Sequence, residues 1–367
     1  SRLMGDEENQ LSRSSRLMGD EEKPPLPKRI EAARVLTVLT STEKYPDDTP
    51  CGYWLTEAAH PYAKWIAAGY TVDFVCVGET AVPDPKSVEA ALEANDKEAL
   101  DFRDMMAEYT FKKVADCVET ALESYDVLFF CGGFGAVWDF PQDENVKALA
   151  KAFWEADKIV CAICHGPMAL VNVELGDGTK LLEGKECTAF ANIEEDTMGT
   201  KEAVSEPSGP GTCEDLIVAA GAVFKAPAEP FVVNVVEFSK PETACKLITA
   251  SNPPSAAPMA EAVIFALDPI KRDFDPPREA QLVERAELVK QLEEAKAAFT
   301  SGIAPLKVSN KIDEMDALQI KHIATRDWLL GQLATVDSQM ERLAINRQIK
   351  VDEYEAEKAA AAAAEEE

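Results

Sequence analysis

The chain has 367 residues, 46% of them hydrophobic, which is enough for a sizeable folded core. Its 66 acidic residues outnumber its 37 basic residues, and the formal net charge is −29. Such an acidic surface repels phosphate backbones and anionic lipids, which argues against nucleic-acid or membrane-surface binding. No apolar run approaches the roughly 18–20 residues of a membrane span, and no signal-peptide core is evident. We therefore expect a soluble, cytoplasmic protein.

Nine cysteines are scattered along the chain, several of them within apolar, strand-like segments such as those around Cys76 and Cys131. This odd, dispersed set is typical of reduced cytosolic proteins, in which most cysteines are small buried hydrophobic residues.

Residues 1–29 contain a duplicated peptide, SRLMGDEE, which begins at Ser1 and again at Ser15. The unit is too short and polar to bury a core, so we expect it to be disordered by itself. It is either a low-complexity leader or a docking peptide that becomes ordered on a protein partner. The following KPPLP, Lys23–Pro27, predicts a stiff linker.

Residues 30–267 alternate between strand-like and helix-like segments. Apolar, β-branched runs of this kind predict a parallel sheet that is covered on both faces. We therefore predict an α/β fold with a doubly wound, mostly parallel sheet sandwiched by helices, as in flavodoxin-like proteins. The strand candidates are RVLTVLTS, TVDFVCVG, DVLFFCGG, KIVCAIC, ECTAF and KLITAS, and the helix candidates include WLTEAAHPYAKWIAAG and ENVKALAKAFWEAD.

Residues 268–367 predict a linker followed by an α-helical C-terminal extension. The linker is DPIKRDFDPPRE, and the first helical segment has an apolar face formed by Leu288, Leu292, Ala295 and Phe299. The second segment has an apolar stripe at steps of four and three, the spacing of a helix-packing seam. Such a stripe needs another apolar surface, either the core of this chain or a protein partner. We call this stripe the tail seam; it contains Leu329, Leu333, Val336, Met340 and Leu343.

The segment KIVCAICHGPMAL has the pattern of a nucleophile elbow. An apolar strand runs directly into Cys164 and His165, after which Gly166 permits a tight turn and Pro167 suits the first position of a helix. A thiol at this point would face a helix N-terminus, which favours the thiolate. His165 would act as its general acid or base.

Two other interpretations of this segment remain open. Cys161 and Cys164 have the spacing of a thioredoxin-type redox pair, although that motif normally opens a helix and Cys161 lies within the strand run. Alternatively, Cys164 is simply a buried structural cysteine.

Two further segments are candidates for the same site. The glycine-rich CGGFG follows a strand, so the backbone amides of Gly132, Gly133 and Phe134 are candidates for an oxyanion or substrate-binding site. Glu57 follows the first strand, on a predicted helix, and a carboxyl group there can share or move a proton near the thiol.

Taken together, these motifs resemble the ThiJ/PfpI superfamily, with its class I glutamine amidotransferase-like fold. Within it, the sequence is most similar to the heat-shock chaperone-like branch with glutathione-independent glyoxalase (glyoxalase III) activity. The residues that carry the resemblance are Gly52, Glu57, His60, Pro61, Gly132, Gly133, Gly135, Ala136, Asp139, Pro141, Ala162, Cys164, His165, Gly166, Pro167, Leu247, Ile248, Thr249, Asn252 and Pro253.

The resemblance implies a cysteine-dependent lyase that acts on a small 2-oxoaldehyde. Cys164 would attack methylglyoxal, Glu57 and His165 would move protons, and hydrolysis of a thioester would release lactate. No metal, nucleotide or glutathione is implied. Glu195 is the best match for an acid that orients the histidine, with Glu194 and Asp196 as near alternatives. Relatives often form homodimers, and protein deglycase and chaperone activities are implied as well.

The sequence departs from this branch at Phe134, where histidine is usual, and in the acidic segment 194–215. A different class of function is also open: a non-catalytic structural component of a cytoskeletal or ciliary complex that reuses the fold. The duplicated leader and the helical tail, for which catalysis has no obvious need, support a protein partner in either case.

Overall fold

The computed structural model describes residue 30 and residues 32–205, 207–239, 246–308 and 312–365, so the duplicated peptide in residues 1–29 lies outside the described residues. Within them, the β-strands are β1 (Arg34–Leu39), β2 (Thr71–Cys76), β3 (Lys112–Lys113), β4 (Val127–Phe130), β5 (Ile159–Ile163), β6 (Glu186–Cys187), β7 (Val223–Phe224), β8 (Val235–Ser239) and β9 (Lys246–Ala250).

The α-helices in the same residues alternate with these strands up to residue 267 and then continue as two long helices. They are α1 (Leu55–Ala67), α2 (Pro85–Glu93), α3 (Lys97–Ala107), α4 (Val118–Ser124), α5 (Ala136–Asp139), α6 (Glu144–Glu155), α7 (Asn192–Met198), α8 (Lys201–Val204), α9 (Cys213–Ala219), α10 (Ala256–Leu267), α11 (Pro269–Val308) and α12 (Ile312–Glu365).

The central sheet has the strand order β3-β2-β1-β4-β5-β9-β8. Every neighbouring pair in it is parallel except β8 and β9, which are antiparallel. The predicted doubly wound, mostly parallel α/β fold is therefore confirmed. Chain order reverses between β1 and β4, and ligands of such sheets bind beyond the carboxyl ends of the strands at that point.

Both faces of the sheet are covered, which explains why its central strands are apolar without alternation. β4 and β5 are buried at every residue. One face packs against a cluster that includes Phe153 and Trp154, and the other packs against a cluster that includes Trp65 and Phe102. A strand enclosed on both sides needs apolar side chains in both directions.

The strand predictions were incomplete, and the two-residue strands β3 and β7 were not among them. ECTAF forms only the two-residue β6, which pairs with β7 in a separate small sheet rather than joining the central one. The edge strand β8 was not predicted, because its residues VVEFS are partly or fully exposed and have no strong apolar signal.

The predicted linker at residues 268–279 was wrong, because Pro269 already begins α11 and the helix continues to Val308. An interior proline removes a backbone hydrogen bond and its ring clashes with the preceding turn, which is why prolines in a sequence usually predict the end of a helix. None of the described helices is both long and apolar enough to cross a membrane.

The tail seam on α12 packs against α11. Leu329 and Val336 are buried together with Leu288 of α11, and Leu292, Ala295, Leu333 and Met340 pack around them. The apolar surface that the seam needs is therefore supplied, along this stretch, by the preceding helix of the tail rather than by the α/β core.

Candidate active site

Cys164 occupies the turn immediately after β5, at the carboxyl edge of the sheet. Its φ is +58°, in the left-handed region that non-glycine residues rarely adopt. Its amide donates to the Ala250 carbonyl at 2.8 Å, and its carbonyl accepts from the Phe190 amide at 2.9 Å. A Cβ at Gly166 would lie 2.2 Å from the Phe130 carbonyl oxygen, so only glycine allows this turn to approach β4 so closely. The backbone therefore fixes the position of the thiol.

The element after the turn is shorter than predicted. Gly166–Ala169 forms a single 3₁₀ turn rather than an α-helix. A macrodipole needs several aligned peptide units, so this turn gives a thiolate little stabilisation. Burial, followed by the charge of an ionised Glu57, raises the pKa of the Cys164 thiol well above its usual value. Burial and the short turn therefore oppose the thiolate that a helix N-terminus would favour.

His165 bridges the thiol and a carboxyl group. Its Nδ1 lies 3.3 Å from the Cys164 sulfur, and its Nε2 lies 2.9 Å from Glu195 Oε1. The Thr200 hydroxyl donates to the other oxygen of Glu195. His165 and Glu195 are both fully buried.

Of the three acids considered for orienting the histidine, the structure places Glu195 against it. Asp196 points outward and pairs with Lys201. Glu194 is buried but accepts hydrogen bonds from Ala191, Asn252 and Phe231, so it joins α7 to two neighbouring loops. Thr200 was not identified from the sequence, because five residues separate it from Glu195 and no motif marks it.

The hydrogen bonds around His165 define its tautomer. Glu195 accepts from the Thr200 hydroxyl on one oxygen, and its other oxygen is an acceptor for the Nε2 proton of His165. In a neutral imidazole, Nδ1 then carries the lone pair, and it faces the Cys164 sulfur. The histidine is thus arranged to remove the proton of the thiol.

Glu57 lies in the first turn of α1 and is fully buried. A Cβ at Gly132 would lie 2.3 Å from Glu57 Oε2 and 2.6 Å from Cys164 Cβ, so only a glycine leaves room for both side chains. Neither carboxyl oxygen of Glu57 has a partner of ordinary hydrogen-bond geometry among the described residues. The Cys164 thiol is nevertheless close enough to affect its ionisation.

Burial raises the pKa of the Glu57 carboxyl well above its usual range; the neighbouring Cys164 thiol lowers it in part, and the charges of Glu194 and Asp84 raise it further. Burial therefore favours the protonated form of Glu57. A neutral Glu57 does not repel charge on the sulfur, and it can donate a proton to an oxygen atom nearby.

The glycine-rich loop after β4 lies on the other side of the thiol. The amides of Gly133 and Phe134 donate no hydrogen bond to any residue that the structure describes. Both remain candidates for binding a substrate oxygen, together with Gly132, although this role remains a prediction. The Phe134 side chain is buried and lies against the His165 ring, with the ring centroids 4.5 Å apart.

Other motif residues hold the surrounding loops in place. His60 Nε2 lies 2.8 Å from Asp96, which caps α3, so this pair joins α1 to α3. Asp139 accepts from the Thr40 hydroxyl and the Ser41 amide, at 2.8 and 2.7 Å, and so joins the loop after β1 to α5. These residues position the loops that carry the site rather than the reacting groups.

The redox interpretation of Cys161 finds no support in the geometry. Cys161 is fully buried within β5, and its thiol donates to the Leu128 carbonyl at 3.5 Å. All eight cysteines in the described part of the chain are free thiols. No group of three or more His, Cys, Asp or Glu side chains in the same residues is arranged to hold a metal ion.

A family model described as the DJ-1/PfpI family matches residues 52–264. The chain belongs to this family. The match spans the sheet from the loop after β1 to α10 and includes Glu57, Cys164, His165 and Glu195, and it confirms the resemblance to the ThiJ/PfpI superfamily. The leader and the two long tail helices lie outside the matched range.

Several relatives of known name are similar to the same part of the chain. Glutathione-independent glyoxalase hsp3102 of Schizosaccharomyces pombe is 30% identical over 231 residues, which cover 61% of this chain and 92% of the relative. Glutathione-independent glyoxalase HSP31 of Saccharomyces cerevisiae is 27% identical over 238 residues, 64% of this chain and 98% of the relative. The crystal structure of glyoxalase III from Candida albicans matches with a TM-score of 0.55 and 26% identity, over 64% of this chain and 98% of that one.

Proposed function

We propose that this protein is a glutathione-independent glyoxalase that converts methylglyoxal to lactate through a covalent adduct on Cys164. The observation that carries the proposal is the enclosed arrangement of a thiol, a histidine nitrogen 3.3 Å from the sulfur, and the fully buried carboxyl group of Glu57. The glyoxalases among its relatives support the same substrate class, a small 2-oxoaldehyde.

In the first step, His165 Nδ1 takes the thiol proton as the Cys164 sulfur attacks the aldehyde carbon. The carbonyl oxygen becomes a hydroxyl by taking the proton of Glu57, and a hemithioacetal results. Burial makes Glu57 suitable for this step, because a carboxyl group that was ionised at rest would have no proton to give. The step leaves a Glu57 carboxylate and a His165 imidazolium.

The adduct then isomerises by proton transfers between these two groups. The Glu57 carboxylate removes the C1 proton while the imidazolium protonates the C2 oxygen, which gives an enediol. Glu57 then returns the proton to C2, and His165 takes the proton of the C1 hydroxyl. The product is a thioester of lactate on Cys164, with Glu57 and His165 again charged. Glu195 stabilises the imidazolium through its hydrogen bond to Nε2.

Hydrolysis completes the cycle. The Glu57 carboxylate accepts a proton from the attacking water, and the departing sulfur takes a proton from the imidazolium. Lactic acid leaves and all three groups return to their neutral forms, so the net reaction is the addition of one water to methylglyoxal. The backbone amides of Gly133 and Phe134, which donate no hydrogen bond to any described residue, are candidates for binding the oxygen that becomes negative in the tetrahedral intermediates.

The test is a methylglyoxal-to-lactate assay on the full chain without glutathione, with Cys164→Ser and Cys161→Ser compared. Both cysteines are buried, Cys161 within β5 and Cys164 directly after it, but the serine at 161 can keep the hydrogen bond to Leu128. We expect Cys164→Ser to abolish lactate formation and Cys161→Ser to retain it. Equal rates in the wild type and in Cys164→Ser would exclude Cys164 as the nucleophile. A glycated peptide in the same assay tests protein deglycase activity.

We also propose that the tail anchors this enzyme in a larger protein assembly. The alternative is that the chain is a non-catalytic structural component of a cytoskeletal or ciliary complex that reuses the fold. The supporting observation is that the two tail helices lie outside the range that the family model matches, residues 52–264. Removing residues 268–367 should leave turnover unchanged and abolish retention in the native assembly. If the trimmed chain unfolds instead, the tail is part of the core and the anchoring proposal fails.

A further inference from the structure

The His165 ring is enclosed by two phenylalanines. The centroid of Phe134 lies 4.5 Å from that of the imidazole, with the ring planes inclined by 43°. Phe190 lies 4.8 Å away, with its plane inclined by 31°. Both phenylalanines are almost completely buried. The imidazole therefore meets apolar rings around it, while its two polar partners lie at its two nitrogens.

A second layer of aromatic side chains supports this enclosure. Tyr45 packs on Phe134 with the centroids 5.7 Å apart, and Trp138 packs on Tyr45 at 5.1 Å. Phe231 packs on Phe190 at 6.1 Å. In a densely packed interior, neither phenylalanine can move away from His165 without displacing the ring behind it.

A histidine ring can occupy two orientations of nearly the same shape, related by a half-turn about the Cβ–Cγ bond. In the observed orientation, Nδ1 faces the Cys164 sulfur and Nε2 faces Glu195. After a half-turn, carbon atoms would take the places of both nitrogens, and the thiol would have no base. The chemistry of the site therefore depends on which orientation is populated.

We propose that Phe134 and Phe190 act as an aromatic clamp that locks the His165 ring with Nδ1 towards the thiol, which makes Phe134 a positioning residue. Because both rings are apolar, they also offer the imidazole no competing hydrogen bond. The kinetic part of this inference rests on the proposed function, but the ring orientation can be measured without turnover.

The first measurement is NMR of the histidine-labelled full chain. Long-range ¹H–¹⁵N correlations give the tautomer of each ring, and nuclear Overhauser contacts of the His165 ring protons with Cys164 and with the phenylalanines give the ring orientation. The chain has only 3 histidines, so the signals are few. In the wild type we expect a single Nε2–H form of His165. In Phe134→Leu and in Phe190→Leu we expect its signals to split or broaden between forms. Phe134→Tyr, which keeps the ring, should restore the single form.

The matched control is Phe140→Leu, because Phe140 belongs to the same apolar cluster as Phe134 and is equally buried, but packs on Phe130 rather than on His165. It should leave the His165 signals unchanged. In the methylglyoxal assay, Phe134→Leu should lower kcat about tenfold with KM nearly constant, because a misplaced base affects the chemical step. Phe140→Leu should change kcat by less than about twofold.

A folded Phe134→Leu variant with an unchanged His165 spectrum and near-normal kcat would overturn the clamp. If Phe134→Leu does not fold, unchanged His165 signals in Phe190→Leu would also overturn the clamp. Should the wild type form no lactate while the spectral change is seen, the proposed function fails and the clamp remains. The two ideas are therefore tested separately.

Discussion

The carboxyl edge of the sheet and the tail helices bury their side chains in different ways. At the turn after β5, the Cys164 thiol, His165 and two carboxyl groups are enclosed together with large aromatic rings. Along the tail, the described buried residues are Leu288, Leu329 and Val336, in one seam between two helices. The first region is enclosed from all sides, so a single atom's position matters there, whereas the second depends on one narrow contact.

The largest effect should come from removing the proton of Glu57. Glu57→Gln keeps the shape of the side chain but cannot move a proton, so kcat should fall by roughly 10²–10⁴-fold. The thermal unfolding temperature should hardly change, since a neutral amide replaces a neutral acid. Glu144→Gln, in the exposed first turn of α6, is the control. Near-normal lactate formation in Glu57→Gln would show that the proton travels by another route.

The two regions can be compared directly by the same substitution in each. Leu128 lies fully buried in β4 and Leu329 lies in the tail seam. Leu128→Ala should reduce the free energy of unfolding of the core by about 2–5 kcal/mol. Leu329→Ala should lower only the melting temperature of the tail helices, which circular dichroism can measure, and it should leave turnover unchanged. If Leu329→Ala instead destabilises the tail and the core in a single cooperative transition, the two regions unfold as one unit.

A smaller effect is expected at Thr200, which acts on His165 only through Glu195. Thr200→Val removes the hydroxyl that donates to Glu195, and loss of one such bond should reduce kcat about tenfold. Thr197→Val is the matched control, because that hydroxyl donates to the exposed Ile193 carbonyl on the same segment. Equal kcat values in Thr200→Val and Thr197→Val would show that the Thr200 hydroxyl has no effect on the reaction.

The smallest effect concerns the dependence of stability on pH. Burial raises the pKa of Asp139 to about 6, above its value of 3.8 in an unfolded chain. As the pH falls, Asp139 is therefore protonated in the folded state before it is protonated in the unfolded chain. Lowering the pH from 7 to 5 should increase the free energy of unfolding by about 1 kcal/mol through this group. Asp139→Asn should remove that gain, as measured by chemical denaturation at the two pH values. Identical pH slopes would contradict this assignment.

Much of the fold could be predicted because buried parallel strands carry a strong apolar signal. β1, β4 and β5 stand out in the sequence for this reason. The edge strand β8 does not, since half-exposed positions leave little hydrophobic pattern. The helical start of α11 was hidden by its prolines, whose usual effect is to end helices.

The residues of the candidate site could be predicted where a sequence motif contains them. They could not be predicted where only packing in the folded molecule brings them together. Cys164 and His165 follow from the strand-to-turn pattern around them, and the role of Glu57 follows from the resemblance to the ThiJ/PfpI superfamily. The choice of Glu195 over Glu194 and Asp196 depends on which side of a short helix faces inward, which three consecutive acids cannot reveal. Thr200 and the contact between Phe134 and His165 arise from chain segments that meet only in the folded molecule.

The positive φ of Cys164 bears on how this position would change over many generations. Glycine is the residue that suits the left-handed backbone best, and a side chain there costs about 1–2 kcal/mol. A lineage that no longer needed the thiol would therefore gain stability by losing it. The backbone at this turn disfavours cysteine relative to glycine, so persistence of cysteine in a set of orthologues would report selection for chemistry. Its replacement by glycine or asparagine would mark the lineages in which catalysis has been abandoned.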